Sequence, residues 1–272
     1  MNLNGKYESL RRILHRLGRV VIGYSGGVDS TFLLKAAVET LGPKNVLACI
    51  GVSPSLAKSQ YKQAIKCAKL IGATVRTVSV DELADDRYKA NKADRCFHCK
   101  SHLFSRFLDI ARQEGFAAVL SGSNFDDLKD FRPGSEAEKK LGIVRPLVDA
   151  KLTKADIRSL SRRFKLPTAD VPASPCLASR IIYGLEVTAE KLRQVEQAEE
   201  YLAKLGFAEF RVRHHDTVAR IEVRPEDIEK ILKKSVRERI VKRLKLLGFK
   251  YISVDMQGFR SGSLNEVLTK SL

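Results

Sequence analysis

The stretch Val20-Val21-Ile22-Gly23-Tyr24-Ser25-Gly26-Gly27-Val28-Asp29-Ser30 decides the fold. Its first three residues form a short β-branched run, which is typical of a buried strand. Residues 31–41 then show the apolar spacing of a helix, which Gly42-Pro43 ends. Gly26 and Gly27 let the backbone pass close to phosphate oxygens, and the first amides and the dipole of the helix favour an anion. The stretch therefore predicts a strand, a phosphate-binding loop and a helix.

Three polar side chains of this loop fit the same interpretation. Ser25 and Ser30 supply hydroxyl donors, and Asp29 is suited to hold a magnesium ion or to orient the loop. The loop lacks the Gly-Lys-Ser/Thr of a Walker A sequence and the Gly-x-Gly-x-x-Gly of a dinucleotide site. The glycines alone would fit an ordinary tight turn equally well. The complete Ser-Gly-Gly-Val-Asp-Ser sequence in this position favours a phosphate loop.

Strand and helix signals alternate over residues 1–166. Further strands are predicted at Val46–Ile50, Thr74–Val80 and Ala118–Leu120, and helices at 6–17, 31–41, 55–71, 100–114 and 153–165. Because the strands are apolar throughout, they predict a parallel sheet with helices on both faces, an α/β, Rossmann-like domain. Ligands of such sheets bind at the carboxyl ends of the strands. Ser25–Ser30 and Ser121–Asn124 both follow predicted strands and are expected at that edge.

A second domain is predicted from residue 167 to residue 272. Leu166-Pro167 and Pro172–Pro175 interrupt the alternation and are interpreted as a linker or an active-site loop. A helix over about 188–205 and a charged helix over about 225–247 are predicted in this part. The predicted strands are Phe210–Arg213, Val218–Val223 and Tyr251–Val254, the first two forming a hairpin. These elements predict a small α+β domain.

The net charge of +17 favours a polyanionic partner: a nucleic acid, a nucleotide or a phosphorylated substrate. A solvated basic surface is the alternative. The sequence has no dense Lys/Arg tract and no interleaved aromatic residues for base stacking, so it supports phosphate affinity but not nucleic acid in particular. No apolar run approaches the ~20 residues of a membrane span, and the first residues lack the features of a secretion signal. We expect a cytoplasmic protein that does not bind membranes.

The five cysteines are of two kinds. Cys49 lies in an apolar run and Cys67 on a predicted helix, so both are expected to be small buried hydrophobic residues. Cys96 and Cys99 form a Cys-x-x-Cys pair, which suits zinc or an iron–sulfur cluster, and Cys176 directly follows the Pro172–Pro175 stretch. A zinc site that includes His98 is an alternative, although His98 sits in the cramped spacer. A redox dithiol with Cys176 as a free nucleophile is another.

The Ser-Gly-Gly-x-Asp-Ser loop after the first strand resembles that of the PP-loop ATP pyrophosphatase superfamily, which includes GMP synthetase, argininosuccinate synthetase and tRNA thiolases. The resemblance implies that ATP with Mg²⁺ is cleaved to AMP and pyrophosphate, with AMP passed to a carboxylate or carbonyl oxygen. Asp29 and Ser30 would be catalytic. The implied ATP and pyrophosphate contacts are Gly23, Ser25, Gly26, Gly27, Val28, Asp29, Ser30, Gly122, Asp126 and Arg132. From the residues alone, Asp126 equally suits a helix cap, and Arg132 a surface turn.

Five further segments resemble the LarE family over nearly the full length. They are Arg95–Lys100, Gly122–Gly134, Pro175–Gly184, Arg211–Glu222 and Gly258–Gly262. LarE proteins are sulfur transferases of nickel-pincer nucleotide synthesis, which convert the two carboxylates of a pyridinium mononucleotide into thiocarboxylates. The resemblance implies such a small-molecule nucleotide substrate and a homo-oligomer, a hexamer, in which the second domain binds substrate and serves oligomerisation. A PP-loop tRNA thiolase remains an alternative, as does a nucleotide sensor without catalytic activity.

The resemblance also assigns charged residues of the second domain. Arg211 and Arg213 lie at period two on one strand, so both guanidinium groups are expected on one face, where they suit a mononucleotide phosphate. Arg180 and Arg260 are expected nearby. A solvated sheet face is the alternative. Two acidic residues, Glu199 and Glu222, correspond to divalent-metal positions of the family, and each also suits a surface charge.

The three remaining cysteines match the iron–sulfur type of the family. That resemblance implies a [4Fe-4S] cluster on Cys96, Cys99 and Cys176, with an open fourth iron that holds a hydrosulfide. The sulfur would come from sulfide or from a sulfur-donor protein. Some LarE proteins instead carry a single cysteine that gives up its own sulfur and leaves dehydroalanine. Sacrificial donation from Cys176 is therefore the alternative, which the Cys96/Cys99 pair makes less expected.

Overall fold

The structure of the protein is a computed structural model that describes residues 2–128, 133–172, 174–260 and 262–266. The chain folds into two compact units. Unit 1 extends to Glu82 and resumes over Cys96–Ser174. Unit 2 comprises Leu83–Arg95 and the chain from Pro175 onward. The division differs from the predicted boundary at residues 166/167, because residues 166–169 pack within unit 1, where Thr168 is fully buried. The sequence did not predict that the segment Leu83–Arg95 joins the second unit.

The sheet of unit 1 has four parallel strands in the order β3-β2-β1-β4. They are β1 (Val20–Gly23), β2 (Val46–Val52), β3 (Thr74–Ser79) and β4 (Ala118–Leu120). Val20 pairs with Val46 on one side and with Ala118 on the other. The predicted parallel sheet is confirmed. Because the chain builds outward through β2 and β3 before β4 adds on the opposite side of β1, the strand order reverses between β1 and β4, the usual place for a ligand.

Helices cover both faces of this sheet, as predicted. They are α1 (Leu3–Leu17), α2 (Val28–Leu41), α3 (Lys58–Ile71), α5 (Arg95–Gln113), α6 (Pro133–Lys140), α7 (Pro146–Asp149) and α8 (Lys154–Arg163), with the four-residue α4 (Asp86–Lys89) in unit 2. Alternate residues of β1 face opposite layers: Val20 and Ile22 pack with α1, α2 and α8, whereas Val21 packs with Phe104 and Phe107 of α5. None of the helices in the described ranges is long and apolar enough to cross a lipid bilayer.

The first two of the five cysteines are part of these layers. Cys49 is fully buried and Cys67 is 2% exposed, which confirms that both act as small hydrophobic residues. Burial raises the pKa of the Cys49 thiol to about 12, so it stays protonated at neutral pH.

Unit 2 contains the predicted α+β domain. Its sheet has the order β5-β6-β7, formed by β5 (Phe210–His215), β6 (Val218–Val223) and β7 (Tyr251–Val254), where β5 and β6 are an antiparallel hairpin and β7 runs parallel to β6. One face packs against α9 (Ala189–Lys204) and α11 (Lys234–Leu246). The single helix predicted over 225–247 is wrong. A 3₁₀ turn at Pro225–Asp227 and the short α10 (Ile228–Leu232) precede α11, because Lys233 adopts extended angles (φ −54°, ψ 133°).

Candidate functional site

The loop Ser25–Ser30 connects β1 to α2 at the carboxyl edge of the sheet. Gly27 is the N-cap of α2, and the hydroxyls of Ser25 and Ser30 lie 3.1 Å apart. Gly26 has φ +73°, and a Cβ added there would lie 2.6 Å from the Cβ of Ala64 on α3. Only glycine fits that position. The loop thus presents the unpaired first amides of a mostly buried helix, which is the geometry expected of an anion site.

The second predicted loop, Ser121–Asn124, lies directly against the first. A Cβ added at Gly122 would come within 3.0 Å of the backbone nitrogen and Cα of Ser30. Asn124 Nδ2 lies 3.5 Å from Asp29 Oδ2. The two predicted loops are therefore brought together at the point where the strand order reverses.

Asp29 forms an ion pair that the sequence did not predict, with the ammonium group of Lys154. Burial raises the pKa of the Asp29 carboxyl, and Lys154 opposes that shift. Asp29 Oδ1 is buried and has no hydrogen-bond partner among the described residues. One oxygen of Asp29 thus faces a cation, and the other is available to a ligand such as Mg²⁺.

Lys154 is held in place by the start of α8. Thr153 is the N-cap and forms a capping box with Asp156. The backbone amide of Lys154 donates to Asp126 Oδ2 at 2.8 Å. Asp126, predicted as a phosphate-site residue, therefore has the contact of a helix cap and positions Lys154. The capping box is a sequence signal that α8 begins at Lys154, but it does not reveal the contact of Lys154 with Asp29. Arg132 and Asp130 lie outside the described residues.

Gly23, predicted to contact ATP, has a packing role. An added Cβ would lie 3.0 Å from Phe104 Cε1, and one at Gly51 would collide with Leu103. Both glycines therefore allow α5 to approach the ends of β1 and β2 closely. Contact of Gly23 with ATP stays a prediction.

Cys96 and Cys99 lie on the first turn of α5 within unit 1. Cys96 is exposed and Cys99 half-buried. The sulfur of Cys99 is 3.8 Å from Glu82 Oε2, and Ser53, just after β2, donates to Glu82 Oε1 at 2.7 Å. Glu82 is 3% exposed, so a buried carboxylate connects the end of β2 to the cysteine pair.

Lys100, directly after the pair, is tied to the second loop. Its Nζ lies 2.6 Å from Glu138 Oε1, and the hydroxyl of Ser123 donates to Glu138 Oε2 at 2.9 Å. Glu138 is fully buried. A buried carboxylate that lost either partner would be costly, so these contacts fix the start of α5 beside Ser123.

The cysteine pair suits two ligand positions of a metal centre, because residues three apart on a helix lie on one side. Thiolates are the usual ligands of zinc and of iron–sulfur clusters. Within the described ranges, no group of three or more His, Cys, Asp or Glu side chains is arranged to hold a metal ion. The third predicted ligand, Cys176, belongs to unit 2. The three-cysteine cluster stays a prediction.

Cys176 precedes a short 3₁₀ turn, Leu177–Arg180, that a buried arginine holds. Arg180 binds both oxygens of Glu199 at 2.9 and 3.0 Å. Its Nη1 donates to the carbonyl oxygens of Pro175 at 2.6 Å and Cys176 at 3.2 Å. The structure therefore shows that Arg180 organises the Cys176 loop, and its contact with a substrate phosphate stays a prediction.

Arg213 and Glu222 form a buried pair on neighbouring strands. Both Nε and Nη2 of Arg213 bind Glu222 Oε2, at 3.0 and 2.8 Å, and its Nη1 donates to Ser179 O at 3.0 Å. Ser263 and Arg220 bind Glu222 Oε1 at 3.0 and 3.1 Å. This network rules out a solvated sheet face at this position and occupies both oxygens of Glu222.

Arg211 is on the same face of β5. Burial, together with the charges of Arg180 and Arg213, lowers its pKa to about 10. The guanidinium carbon lies 4.9 Å from the centre of the Phe259 ring. Because its charged form is destabilised in this way, the guanidinium group of Arg211 would be stabilised by a bound anion. Arg260 is half-buried and pairs with Glu266 at 3.2 Å.

The predicted divalent-metal residues, Glu199 and Glu222, are both engaged by arginines. Glu199 also accepts the backbone amide of Val212 at 3.1 Å. A metal ion on either carboxylate would have to displace these donors. Metal binding by the two residues stays a prediction, as does phosphate binding by the arginines.

Comparison with known proteins assigns a family. The NAD synthase family matches residues 6–103. An uncharacterised protein of Synechocystis sp. is 41% identical over 98% of this chain and 100% of its own length. The pyridinium-3,5-bisthiocarboxylic acid mononucleotide synthase of Lactiplantibacillus plantarum, a LarE enzyme, is 38% identical over 98% of this chain and 96% of its own. The chain therefore belongs to the LarE family of PP-loop enzymes, which use ATP and form AMP.

Proposed function

We propose that the protein adenylates a carboxylate of a pyridinium mononucleotide and replaces one of its oxygens with sulfur, giving a thiocarboxylate. The main support is the full-length similarity to the Lactiplantibacillus plantarum synthase, 38% identical. The arrangement of charged residues within each unit supports the two halves of the reaction separately.

The residues of unit 1 suit the activation step. The phosphates of ATP would bind the amides of Ser25–Ser30, with Asp29 holding Mg²⁺ through its unpartnered oxygen. Lys154 would stabilise the charge on the departing pyrophosphate. A carboxylate oxygen of the substrate attacks the α-phosphorus, the bond to pyrophosphate breaks, and an acyl-adenylate forms. The carboxyl oxygen later leaves with AMP.

Four arginines of unit 2 suit the phosphate of the mononucleotide. Arg180, Arg213 and Arg220 form ion pairs with Glu199, Glu222 and Asp255, and Arg211 adds a fourth positive charge beside Arg180 and Arg213. This excess of positive charge destabilises the charged form of Arg211, because burial and two neighbouring arginines lower its pKa to about 10. A dianionic phosphate would relieve the repulsion. Arg211 is therefore the residue we assign to the phosphate.

For the sulfur step, Cys96, Cys99 and Cys176 would hold a [4Fe-4S] cluster. Such a cluster, when bound, would supply an activated hydrosulfide from the external donor, which would add to the carbonyl carbon of the acyl-adenylate and displace AMP. Glu82 and Ser53 would fix the Cys99 side chain at the end of β2. Arg180 would fix the backbone at Cys176. The sulfur source would be sulfide or a sulfur-donor protein.

Mass spectrometry of the protein after turnover, combined with iron and sulfide analysis of anaerobically purified protein, tests this mechanism. We expect product with sulfide as donor, iron in the active protein, and Cys176 unchanged in mass. Cys49→Ala, which removes a buried thiol outside the proposed cluster, is the matched control and should keep its iron, whereas Cys99→Ala should lose it. Loss of hydrogen sulfide from Cys176 in active, iron-free protein would establish sacrificial donation instead.

A further inference from the structure

Arg95, the residue before Cys96, is buried and bonded to the loop that carries Cys176. It is 3% exposed, and its Nη1 donates to Ala178 O at 2.9 Å. Its guanidinium carbon lies 5.9 Å from the centre of the Tyr183 ring. Burial of a guanidinium group is costly unless its N–H groups are hydrogen-bonded, so Arg95 depends on these contacts as a surface arginine would not.

Asn91 fastens the same segment at a second place. Arg95 Nη1 also donates to Asn91 Oδ1. Asn91 is fully buried, and its side-chain Nδ2 donates to the carbonyl oxygens of Ile182 at 2.7 Å and Leu185 at 2.8 Å. Its φ of +52° lies in the left-handed region, which asparagine tolerates better than most residues. Two side chains of the segment Leu83–Arg95 thus bind the backbone that follows Cys176.

Arg95, Arg180 and Arg213 together bind four of the five carbonyl oxygens of residues 175–179. Arg180 binds the carbonyl oxygens of residues 175 and 176, Arg95 that of residue 178, and Arg213 that of residue 179. All of these contacts lie within unit 2. Three buried guanidinium groups on one five-residue segment restrict its backbone far more than a surface loop requires.

We propose that Arg95 and Asn91 are positioning residues that hold the Cys176 loop, and with it the Cys176 thiol, in one conformation. The importance of that thiol rests on the proposed function, but the hydrogen bonds that carry the proposal do not. Arg95 directly precedes the Cys-x-x-Cys pair in the chain, and its side chain holds the loop of the third cysteine. Ligands drawn from distant parts of a sequence need such support to keep their geometry.

Alkylation of the full-length, reduced protein by iodoacetamide, followed at each cysteine by mass spectrometry, tests the proposal. In Arg95→Gln and Asn91→Ala we expect Cys176 to react several-fold faster, whereas Cys96 and Cys99, measured in the same digest, keep their rates. Arg95→Lys retains the charge and one donor group and should give an intermediate rate. Arg87→Gln is the matched control, because Arg87 lies on the same segment with its side chain 69% exposed and pairs with Asp85. It should leave all three rates unchanged.

Two results would overturn the positioning role and leave sulfur transfer untouched: unchanged rates at Cys176 in every variant, or parallel acceleration at all three cysteines in Arg95→Lys. Sulfur transfer is then measured on the same variants. Faster alkylation of Cys176 with unaltered thiocarboxylate formation would support the positioning role and contradict the use of Cys176 in the reaction. Faster alkylation with pyrophosphate release retained and thiocarboxylate lost would support both.

Discussion

Lys154 places an ammonium group beside a phosphate loop whose own sequence has no lysine. The Walker A loop carries its lysine in the loop itself, whereas this chain brings one from the first turn of α8, more than a hundred residues away in sequence. Its partner Asp29 is half-buried, and its buried oxygen Oδ1 has no hydrogen-bond partner among the residues that the structure describes. The ion pair holds Lys154 beside the loop, and the unpaired oxygen is where Mg²⁺ would bind.

Lys154→Met should weaken ATP binding and pyrophosphate release. The substitution keeps the stem of the side chain but removes a charge-assisted contact of roughly 1.5–3 kcal/mol, so we expect a loss of about tenfold to a hundredfold. Lys139→Met is the control, because Lys139 is exposed on α6 and pairs with Glu136 at 3.5 Å. The measurement is pyrophosphate release with ATP varied. Equal rates in the two variants would show that Lys154 contributes neither to ATP binding nor to pyrophosphate release.

Arg211→Ala should raise the dissociation constant of the mononucleotide about tenfold or more, since a charge-assisted pair to phosphate is worth roughly 1.5–3 kcal/mol. ATP binding should not change, because Arg211 belongs to unit 2. The control is Arg193→Ala, an exposed arginine of α9. Calorimetric titration with nicotinic acid mononucleotide measures the effect. Equal affinities of the two variants would remove Arg211 from the phosphate site.

At the scale of elements, the close approach of the two loops is the feature most sensitive to a single atom. Gly122 and Ser30 are near enough that a methyl group at residue 122 would come within 3.0 Å of the Ser30 backbone. Such a contact separates the loops by a few tenths of an ångström. Since a displacement of about 1 Å can cost a hundredfold in rate, we expect Gly122→Ala to lower pyrophosphate release about tenfold.

Gly142→Ala is the control that separates the displacement of the two loops in Gly122→Ala from the general cost of replacing a glycine by alanine. Gly142 has φ +65°, and an added Cβ there would meet nothing within 4 Å. Alanine at residue 142 should therefore lower the free energy of unfolding by about 1 kcal/mol without changing pyrophosphate release. A Gly122→Ala enzyme with the rate of the natural protein would mean that the loops tolerate separation.

The sequence predicted the elements well where apolar periodicity decides them. β4 and β6 have the predicted bounds, and the loop after β1 was recognised from its glycines and serines. The break at Lys233 was missed because the basic residues around it suit a continuous helix. Lys154, Glu82 and Glu138 were missed because their roles depend on contacts between elements distant in sequence. Such contacts leave no periodic signal.

At the scale of the whole molecule, the charge of +17 is only partly a surface property. Arg95, Arg180 and Arg213 are each 5% exposed or less, and in unit 2 they bind carbonyl groups of the Cys176 loop and carboxylates of α9 and β6. Their cost of burial is offset by those hydrogen bonds. Part of the basic composition therefore serves the architecture around Cys176 and does not by itself indicate a nucleic-acid partner.

The stability of the molecule should fall in mild acid because of His214. His214 is 2% exposed and lies 2.8 Å from Gln194 Oε1. Burial, and then the charge of Lys191, lower its pKa from 6.5 to about 4; Asp216 opposes this shift, and His215 adds a smaller lowering. Between those values the unfolded chain binds a proton at this histidine and the folded chain does not. Stability is therefore complete above pH 6.5 and declines toward pH 4, by about 3 kcal/mol in total.

Urea unfolding at a series of pH values, followed by circular dichroism, measures that decline. His214→Phe removes the proton site but keeps an aromatic ring beside Phe249, whose ring centre lies 5.0 Å from that of the imidazole. At pH 7.5 the variant should be less stable than the natural protein, because Gln194 loses its donor. The difference should shrink by about 3 kcal/mol as the pH approaches 4, since only the natural protein loses stability through residue 214. If the His214→Phe curve runs parallel to that of the natural protein, protonation of His214 does not determine the acid stability of this fold.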